Sequence, residues 1–458
     1  MYKSIYKGGF FAYLALIILA IFFYKERIIY ADSAFHLFFL IKNGTFEIQA
    51  ARFGTILTQL LPLIFVKIGA PLKIVVMSYS LNYILNNFIC YVLCGSVFKN
   101  YRYALILLLF NTMILSDTFY NIQSEIIQGM PMAIALLAYM SAKKTVDMKW
   151  YSYPLLFAGL ATVAFIHPLA FFIVLFAVMY HLADKSSVAD TKLFFISFGV
   201  FVLLVAIKHF FFSNGYDDQA EGSINNFATL FPHYFNNGAT DKFIKYCIDK
   251  FYWMPILAAM NVIAYVVTRK WAKLILFVLL TFAYLMLVIV THSDGNMTDA
   301  YAETMYMPLV FMVALPFTYD VLPLMNRYYL AYVVVAAIIL LGLLRIYNTH
   351  VSYTNRLNCE RALLDKYPHQ KVLFAEGRVR MDDLVFSWST SFEIWMLAVI
   401  EYHYSASILV SGKADQLAAE AQSGTRLFMT EWGAINYADL PKQYFNFKDT
   451  ATMYSILK

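Results

Sequence analysis

The chain has 458 residues, of which 61% are hydrophobic and 14% are charged. Soluble globular domains contain roughly 45–50% apolar and about 25% charged residues, so this composition excludes a soluble protein. The formal net charge of +6 does not indicate a nucleic-acid partner, because the lysines and arginines collect in short loops between long apolar runs, where they set membrane topology.

The first apolar run, residues 9–24, follows Lys3 and Lys7 and is itself followed by charged residues rather than by a small-residue cleavage pattern. It is therefore predicted to be a retained first helix. Residues 25–70 begin as a polar stretch and continue with apolar residues at helical spacing, which is typical of helices that lie at the membrane interface. These apolar residues are Phe53, Leu57, Leu60, Leu61 and Ile64.

Ten further apolar runs follow, and a helix needs about 20 residues to cross the roughly 30 Å of hydrocarbon. With the first run they predict about eleven crossings. The count depends on a helix break at His167-Pro168, since Pro cannot donate a backbone hydrogen bond and disfavours helix in the preceding residue. The ten runs are residues 72–98, 103–115, 126–140, 151–165, 169–182, 193–212, 252–267, 274–290, 305–319 and 329–346.

Basic residues fall in alternate short loops, and this bias places those loops and the N-terminus in the cytoplasm. The basic residues are Lys3/Lys7, Lys99/Arg102, Lys143/Lys144/Lys149, Lys185/Lys192, Arg269/Lys270/Lys273 and Arg327. The opposite set of segments then faces outside. It consists of residues 25–70, 116–125, the turn at 167–168, 213–251, 292–303 and the tail from 347.

These patterns predict an all-α polytopic membrane protein with about eleven transmembrane helices and with interfacial helices in the first outer loop. Residues 1–346 are the predicted transmembrane domain. Residues 347–458, where short apolar runs alternate with polar and helical segments, are predicted to form a small extracytoplasmic α+β domain. The chain carries no organelle address, which is compatible with a bacterial inner membrane.

Asp32 is the first candidate for chemistry, because it lies a few residues beyond the outer end of the first helix. A carboxylate there could deprotonate an acceptor hydroxyl that comes within about 2.6–3.2 Å. The structural alternative is a helix N-cap, for which Asp is a favoured residue. The position alone does not separate the two interpretations.

Asp117 and Glu125 lie in the second outer loop, with Glu125 at the start of the next apolar run. Acidic residues at membrane depth are costly and tend to be functional, although one at the boundary can simply be solvated. Together with Asp32 they could bind a hard divalent cation such as Mg²⁺ or Mn²⁺, so metal dependence stays open. The four cysteines show no metal-type spacing, and a Cys247–Cys359 disulfide is an alternative that the topology allows.

Basic groups on the predicted outer side could hold the phosphate of a lipid carrier, with Arg best suited to bidentate contact. For Arg52 the alternative is contact with lipid headgroups, and for His167 it is a structural role in a turn. The basic candidates are Lys42, Arg52, His167, His233 and His292.

The arrangement resembles the GT-C superfamily of membrane glycosyltransferases, which includes protein mannosyltransferases and aminoarabinose transferases. Four local features carry the resemblance. They are Asp32 followed by the string RFGTILTQLLP at 52–62, the acids of the second outer loop, the Gly-Leu-Ala-rich helix ending at His167-Pro168, and the segment AETMYMP at 302–308 with Glu303.

The resemblance implies an inverting transferase that moves a sugar from a polyprenyl-phosphate-linked donor to a hydroxyl of a glycan, lipid or protein at the outer membrane face. Asp32 is then the base, Glu125 or Asp117 a second acid, and the basic groups contact the donor phosphate. Glu303 joins the candidate substrate contacts without a phosphate role, since Thr304 and Met305 replace the family's usual Arg. The alternatives are a flippase or transporter of a lipid-linked glycan and a surface polysaccharide polymerase.

Overall fold

The computed structural model describes residues 1–212, 223–325 and 328–457. Arg327 of the predicted cytoplasmic set, and the first ten residues of the predicted outer loop 213–251, lie outside these ranges. Each of the eleven predicted apolar runs coincides with a helix in the structure.

The helices are numbered in chain order over the described residues. They are α1 (Tyr2–Phe22), α2 (Tyr24–Ile28), α3 (Ala31–Asn43), α4 (Ile56–Lys67), α5 (Leu72–Val92), α6 (Tyr101–Met113), α7 (Asp117–Tyr120), α8 (Glu125–Ala142), α9 (Ser152–Ile166), α10 (Ala170–Ala183), α11 (Thr191–Phe212), α12 (Asn226–Thr229), α13 (Gly238–Asp249), α14 (Trp253–Val267), α15 (Trp271–Thr291), α16 (Asp299–Pro316), α17 (Tyr328–Lys366), α18 (Met381–Leu384), α19 (Thr390–Leu397) and α20 (Ala414–Ala421).

The structure is that of a helical membrane protein. By length and composition, 6 helices within the described ranges can cross a membrane, or up to 7 if α13 and α14, which meet at 87°, count as one bent span. The predicted break before Pro168 is confirmed, because α9 ends at Ile166 and α10 begins at Ala170. Helices α6 and α16 are buried on every side, as expected for apolar helices at the centre of a bundle.

Close backbone packing holds the last long helix against this centre. A Cβ placed on Gly342 of α17 would lie 2.0 Å from the carbonyl oxygen of Thr112 in α6. No other residue type fits such a contact, so Gly342 lets the two helices approach.

Polar contacts gather at the two ends of the bundle. At the end where α1 starts, Lys273 binds Asp184 at 2.9 Å and Lys270 binds Asp320 at 2.7 Å. At the end where α1 finishes, Arg52 binds Glu125 at 2.6 Å. Lys270 and Lys273, which belong to one of the predicted basic loops, therefore meet acidic partners at the end where α1 starts.

The tail contains a parallel three-stranded sheet in the order β2-β1-β5 and an antiparallel hairpin of β3 and β4. Lys371 of β1 pairs in register with Ser407 of β2, and Thr430 of β3 pairs with Gly433 of β4. The strands are β1 (Lys371–Ala375), β2 (Ser407–Ser411), β3 (Leu427–Thr430), β4 (Gly433–Asn436) and β5 (Ser455–Leu457).

The tail packs on the first loop. Helix α17 continues without a break through residues 346 and 347, so the proposed division of the chain there is not marked by a linker. Glu401 binds Lys25 at 2.5 Å and Arg361 at 2.8 Å. All four cysteines are free thiols, so no Cys247–Cys359 disulfide is formed.

Candidate functional site

Asp32 lies in the first turn of α3, and the residue at the cap position is Tyr30. The chain enters this turn through Ala31, whose φ of 38° lies in the left-handed region that residues with a Cβ rarely adopt. The N–H of Ala31 donates to the carboxylate of Glu393 in α19. Asp32 is therefore not the cap of its helix, and a contact from the tail holds the backbone that precedes it.

The Asp32 carboxylate is recessed yet open to water. Its side chain is exposed, although protein surrounds it closely enough for desolvation to raise its pKa to about 6, with the charges of Glu125 and Glu393 adding to the effect. Within the described ranges it has no hydrogen-bond or ion-pair partner. An accessible, unpaired carboxyl with a pKa near neutrality suits a general base.

Glu125 lies within electrostatic range of Asp32 and forms an ion pair with Arg52. Arg52 lies in the short turn before α4, Glu125 begins α8, and their side chains are only 7% and 14% exposed. The same Arg52 charge acts with burial to lower the pKa of His36, one turn after Asp32, to about 4. We call Asp32, His36, Arg52, Glu125 and His167 the Asp32 cluster.

His167 completes the cluster from the turn between α9 and α10. Its Nδ1 accepts the backbone N–H of Leu169 at 3.1 Å. Burial, followed by the charges of Arg52 and Lys208, holds its pKa well below the ordinary value. The ring is therefore neutral with its proton on Nε2, which makes His167 a hydrogen-bond donor rather than a cation.

Hydrogen bonds between helices hold these elements in place. The row Ser78, Asn82, Asn86 on α5 suggests interhelical bonding because polar groups in lipid need partners. Asn82 donates to the carbonyl of Leu57 in α4 at 2.9 Å, and Asn86 donates to that of Gln128 in α8 at 3.5 Å. Ser78 instead bonds within its own helix. Two of the three side chains thus join α5 to α4, which follows the turn of Arg52, and to α8, which begins at Glu125.

Asp117 and Glu303 belong to a second cluster. Glu303 is fully buried, and its carboxylate accepts the N–H groups of Ser116, Asp117 and Thr118 at 2.8–3.1 Å and both hydroxyls there. Asp117 binds Lys250 at 2.7 Å. Hydrogen-bond donors of the protein therefore surround the Glu303 carboxylate, which fixes the start of α7.

The remaining predicted residues make no hydrogen bond or ion pair with the Asp32 cluster among the described residues. Lys42 is at the far end of α3, beside Phe39. His292 hydrogen-bonds Tyr301 at 3.2 Å, and His233 is exposed in the segment before α13. Within the described ranges no three His, Cys, Asp or Glu side chains could hold a metal ion together, so Asp32, Asp117 and Glu125 do not meet as a cation site there.

No family model, curated protein or solved structure matches this chain.

Sequence reasoning missed His36, Lys208, Arg356 and Glu393. Lys208 carried a usable signal, since it is a buried cation inside an apolar run, where a charge marks function by default. His36 lies four residues after Asp32, which places both on one side of a helix. Glu393 had no local signal, because its contact joins residues 362 positions apart.

Proposed function

We propose that the chain is an inverting glycosyltransferase that uses a polyprenyl-phosphate-linked sugar, with Asp32 as the base. One observation carries the proposal: the exposed Asp32 carboxyl, with a pKa of about 6 and no hydrogen-bond or ion-pair partner among the described residues, lies within electrostatic range of Glu125. Glu125 is paired with the buried Arg52, whose charge acts on the neutral His167 donor. Such a site offers a proton acceptor and hydrogen-bond donors close to one another.

The chemistry balances with groups on this chain. The acceptor hydroxyl gives its proton to Asp32 while its oxygen bonds to the anomeric carbon. The bond between that carbon and the phosphate oxygen breaks, and the phosphate leaves with the electron pair. His167 Nε2–H and the guanidinium of Arg52 are the donors for the charge that develops, with Lys208 adding positive charge from α11. Glu125 orients Arg52 through the ion pair.

The lipid-linked donor reaches the Asp32 cluster through the membrane. We place the Asp32 cluster at the outer face of about eleven crossings, where donor lipid diffuses laterally to it, with the tail from residue 347 as an extracytoplasmic domain. A bacterial inner membrane fits this topology. The acceptor is a hydroxyl of a glycan, lipid or protein, and no nucleic acid takes part.

The test is transfer from radiolabelled polyprenyl-phosphate sugars by the purified full chain in lipid nanodiscs, comparing wild type with Asp32→Asn. A general base contributes about 10²–10⁴-fold, so we expect a loss of at least about 100-fold with donor binding retained. Asp382→Asn is the matched control, because that carboxylate is 88% exposed.

Unimpaired transfer by Asp32→Asn would remove Asp32 from the mechanism. Absence of transfer from every donor, together with movement of a labelled lipid-linked glycan across a proteoliposome bilayer, would favour the flippase alternative.

A further inference from the structure

Four side chains form the open face of α3. Asp32, Phe35, Phe39 and Lys42 are spaced by three, four and three residues, which places them on one side of a helix. Asp32 is exposed and the other three are partly exposed, whereas Leu37, Phe38 and Leu40 are buried. The face therefore runs from a carboxylate, across two aromatic rings, to an ammonium group.

The opposite wall is the β3–β4 hairpin. Its turn carries Trp432, whose side chain is 61% exposed and whose ring centroid lies 5.2 Å from that of Phe35. A second indole, Trp388, lies 5.6 Å from Trp432. The groove between helix and hairpin has a volume of about 380 Å³ and is lined by Phe35, Phe39, Lys42, Thr430, Trp432, Gly433, Ala434 and Ile435. We call it the Trp432 groove.

The hairpin shows that the groove faces water rather than lipid. The outer edges of its two strands bond side chains, because the N–H of Met429 donates to the hydroxyl of Tyr454 and the N–H of Ala434 donates to the carboxylate of Glu420. Glu420 is exposed, and an exposed carboxylate is costly in hydrocarbon. The occupant of the groove is therefore the water-soluble part of a substrate and not a lipid tail.

Lys42 is too far from Asp32 to hold the donor phosphate. Ten residues separate them, or about 15 Å along the helix axis at 1.5 Å per residue. A base and a leaving phosphate must act on opposite sides of one anomeric carbon, which requires them to be much closer. This places the donor at Arg52 and His167, and leaves Lys42 for another part of the substrate.

We propose that the Trp432 groove binds an oligosaccharide and leads its terminal hydroxyl to Asp32. Sugar rings present flat C–H faces that stack on Trp432 and Phe35, and hydroxyls at their edges that accept from Lys42 and exchange hydrogen bonds with Thr430. Glu47 lies within electrostatic range of Lys42, so the ammonium is partly compensated and suits neutral hydroxyls. The role of the Trp432 groove as an acceptor site rests on the proposed transfer reaction, whereas the binding of an oligosaccharide in the groove does not depend on that reaction.

Binding is measured by calorimetry on the full chain in nanodiscs, titrated with mannohexaose, cellohexaose, chitohexaose and a mannuronate hexamer. We expect at least one of them to bind and Trp432→Ala to weaken that binding roughly tenfold, because it loses the main aromatic contact. Trp150→Ala is the matched control, since Trp150 is 82% exposed in a different loop. Asp32→Asn should bind as wild type while losing transfer.

Failure of every hexasaccharide to bind, or equal binding by Trp432→Ala and wild type, overturns the proposal. Labelling of Trp432 or Phe35 by a photoreactive polyprenyl phosphate, or capture of a peptide there, overturns it as well. Because saccharide binding is measured without transfer, loss of activity in Asp32→Asn tests the proposed function separately.

Discussion

Replacing Glu393 by Gln removes the charge that fixes the backbone before Asp32. Arg356 and Glu393 are 1% and 0% exposed, and Arg356 Nε donates to Glu393 Oε2 at 2.9 Å. The other carboxylate oxygen accepts the N–H of Ala31, which holds Ala31 at a positive φ. The substitution therefore tests a contact between the tail and the proposed base.

The expected loss in the free energy of unfolding follows from the burial of the Arg356–Glu393 ion pair. Breaking a buried ion pair by removing one partner costs about 3–5 kcal/mol, because the other charge stays uncompensated. Glu360 lies 3.6 Å from Arg356 and supplies partial compensation, so we expect a loss near the lower limit, about 3 kcal/mol. The double variant Arg356→Met/Glu393→Gln should be more stable than Glu393→Gln alone, since it removes the guanidinium that Glu393→Gln leaves undercompensated. The remaining Glu360 tolerates this loss because burial raises its pKa and favours its neutral form.

The assay is the free energy of unfolding of the purified full chain in detergent, with sugar transfer measured in parallel. Transfer should fall with stability, since a shift of about 1 Å in a reacting group can cost about 100-fold. A loss below about 1 kcal/mol in Glu393→Gln would refute the reasoning, as would a double variant less stable than either single one. Asp382→Asn, on an exposed side chain, should stay within about 0.5 kcal/mol of wild type.

Three further predictions concern the pH dependence of transfer, the pH dependence of stability, and topology. Because the pKa of Asp32 is raised to about 6, transfer measured against pH should rise about tenfold per unit below pH 6 and level off above pH 7; a flat profile from pH 5 to 8 would contradict this. The folded chain binds the Asp32 proton more tightly than the unfolded chain does, so the contribution of Asp32 to the free energy of unfolding falls as pH rises from about 4 to about 6. The Asp32→Asn variant should therefore be more stable than wild type at pH 7 but not at pH 4. For topology, an impermeant maleimide on intact cells should label Asp382→Cys but not Val146→Cys, both in a background without Cys247 and Cys359. Val146 is 88% exposed, so burial in the protein does not prevent its labelling. Labelling of Val146→Cys alone would show that the predicted orientation of the chain in the membrane is inverted.

The sequence by itself determined the helices. Within hydrocarbon every backbone polar group must be satisfied inside its own segment, so each long apolar run is helical wherever it lies in the fold. For the same reason the break before Pro168 was predictable, since it depends on a missing N–H and a local clash. Asp32 could also be selected from the sequence as a candidate base, because that selection required only its position just after the first helix.

Tertiary structure alone decided which side chains meet. Arg52 binds Glu125 across 73 positions, and Glu393 holds Ala31 across 362. Such pairs depend on how helices pack, and packing has no local sequence signature. Burial likewise turned His167 from a predicted cation into a neutral donor, and enclosed Glu303 among protein donors. Lys42 lies ten residues after Asp32 on α3, or about 15 Å along the helix axis, and this separation is set by the folded helix.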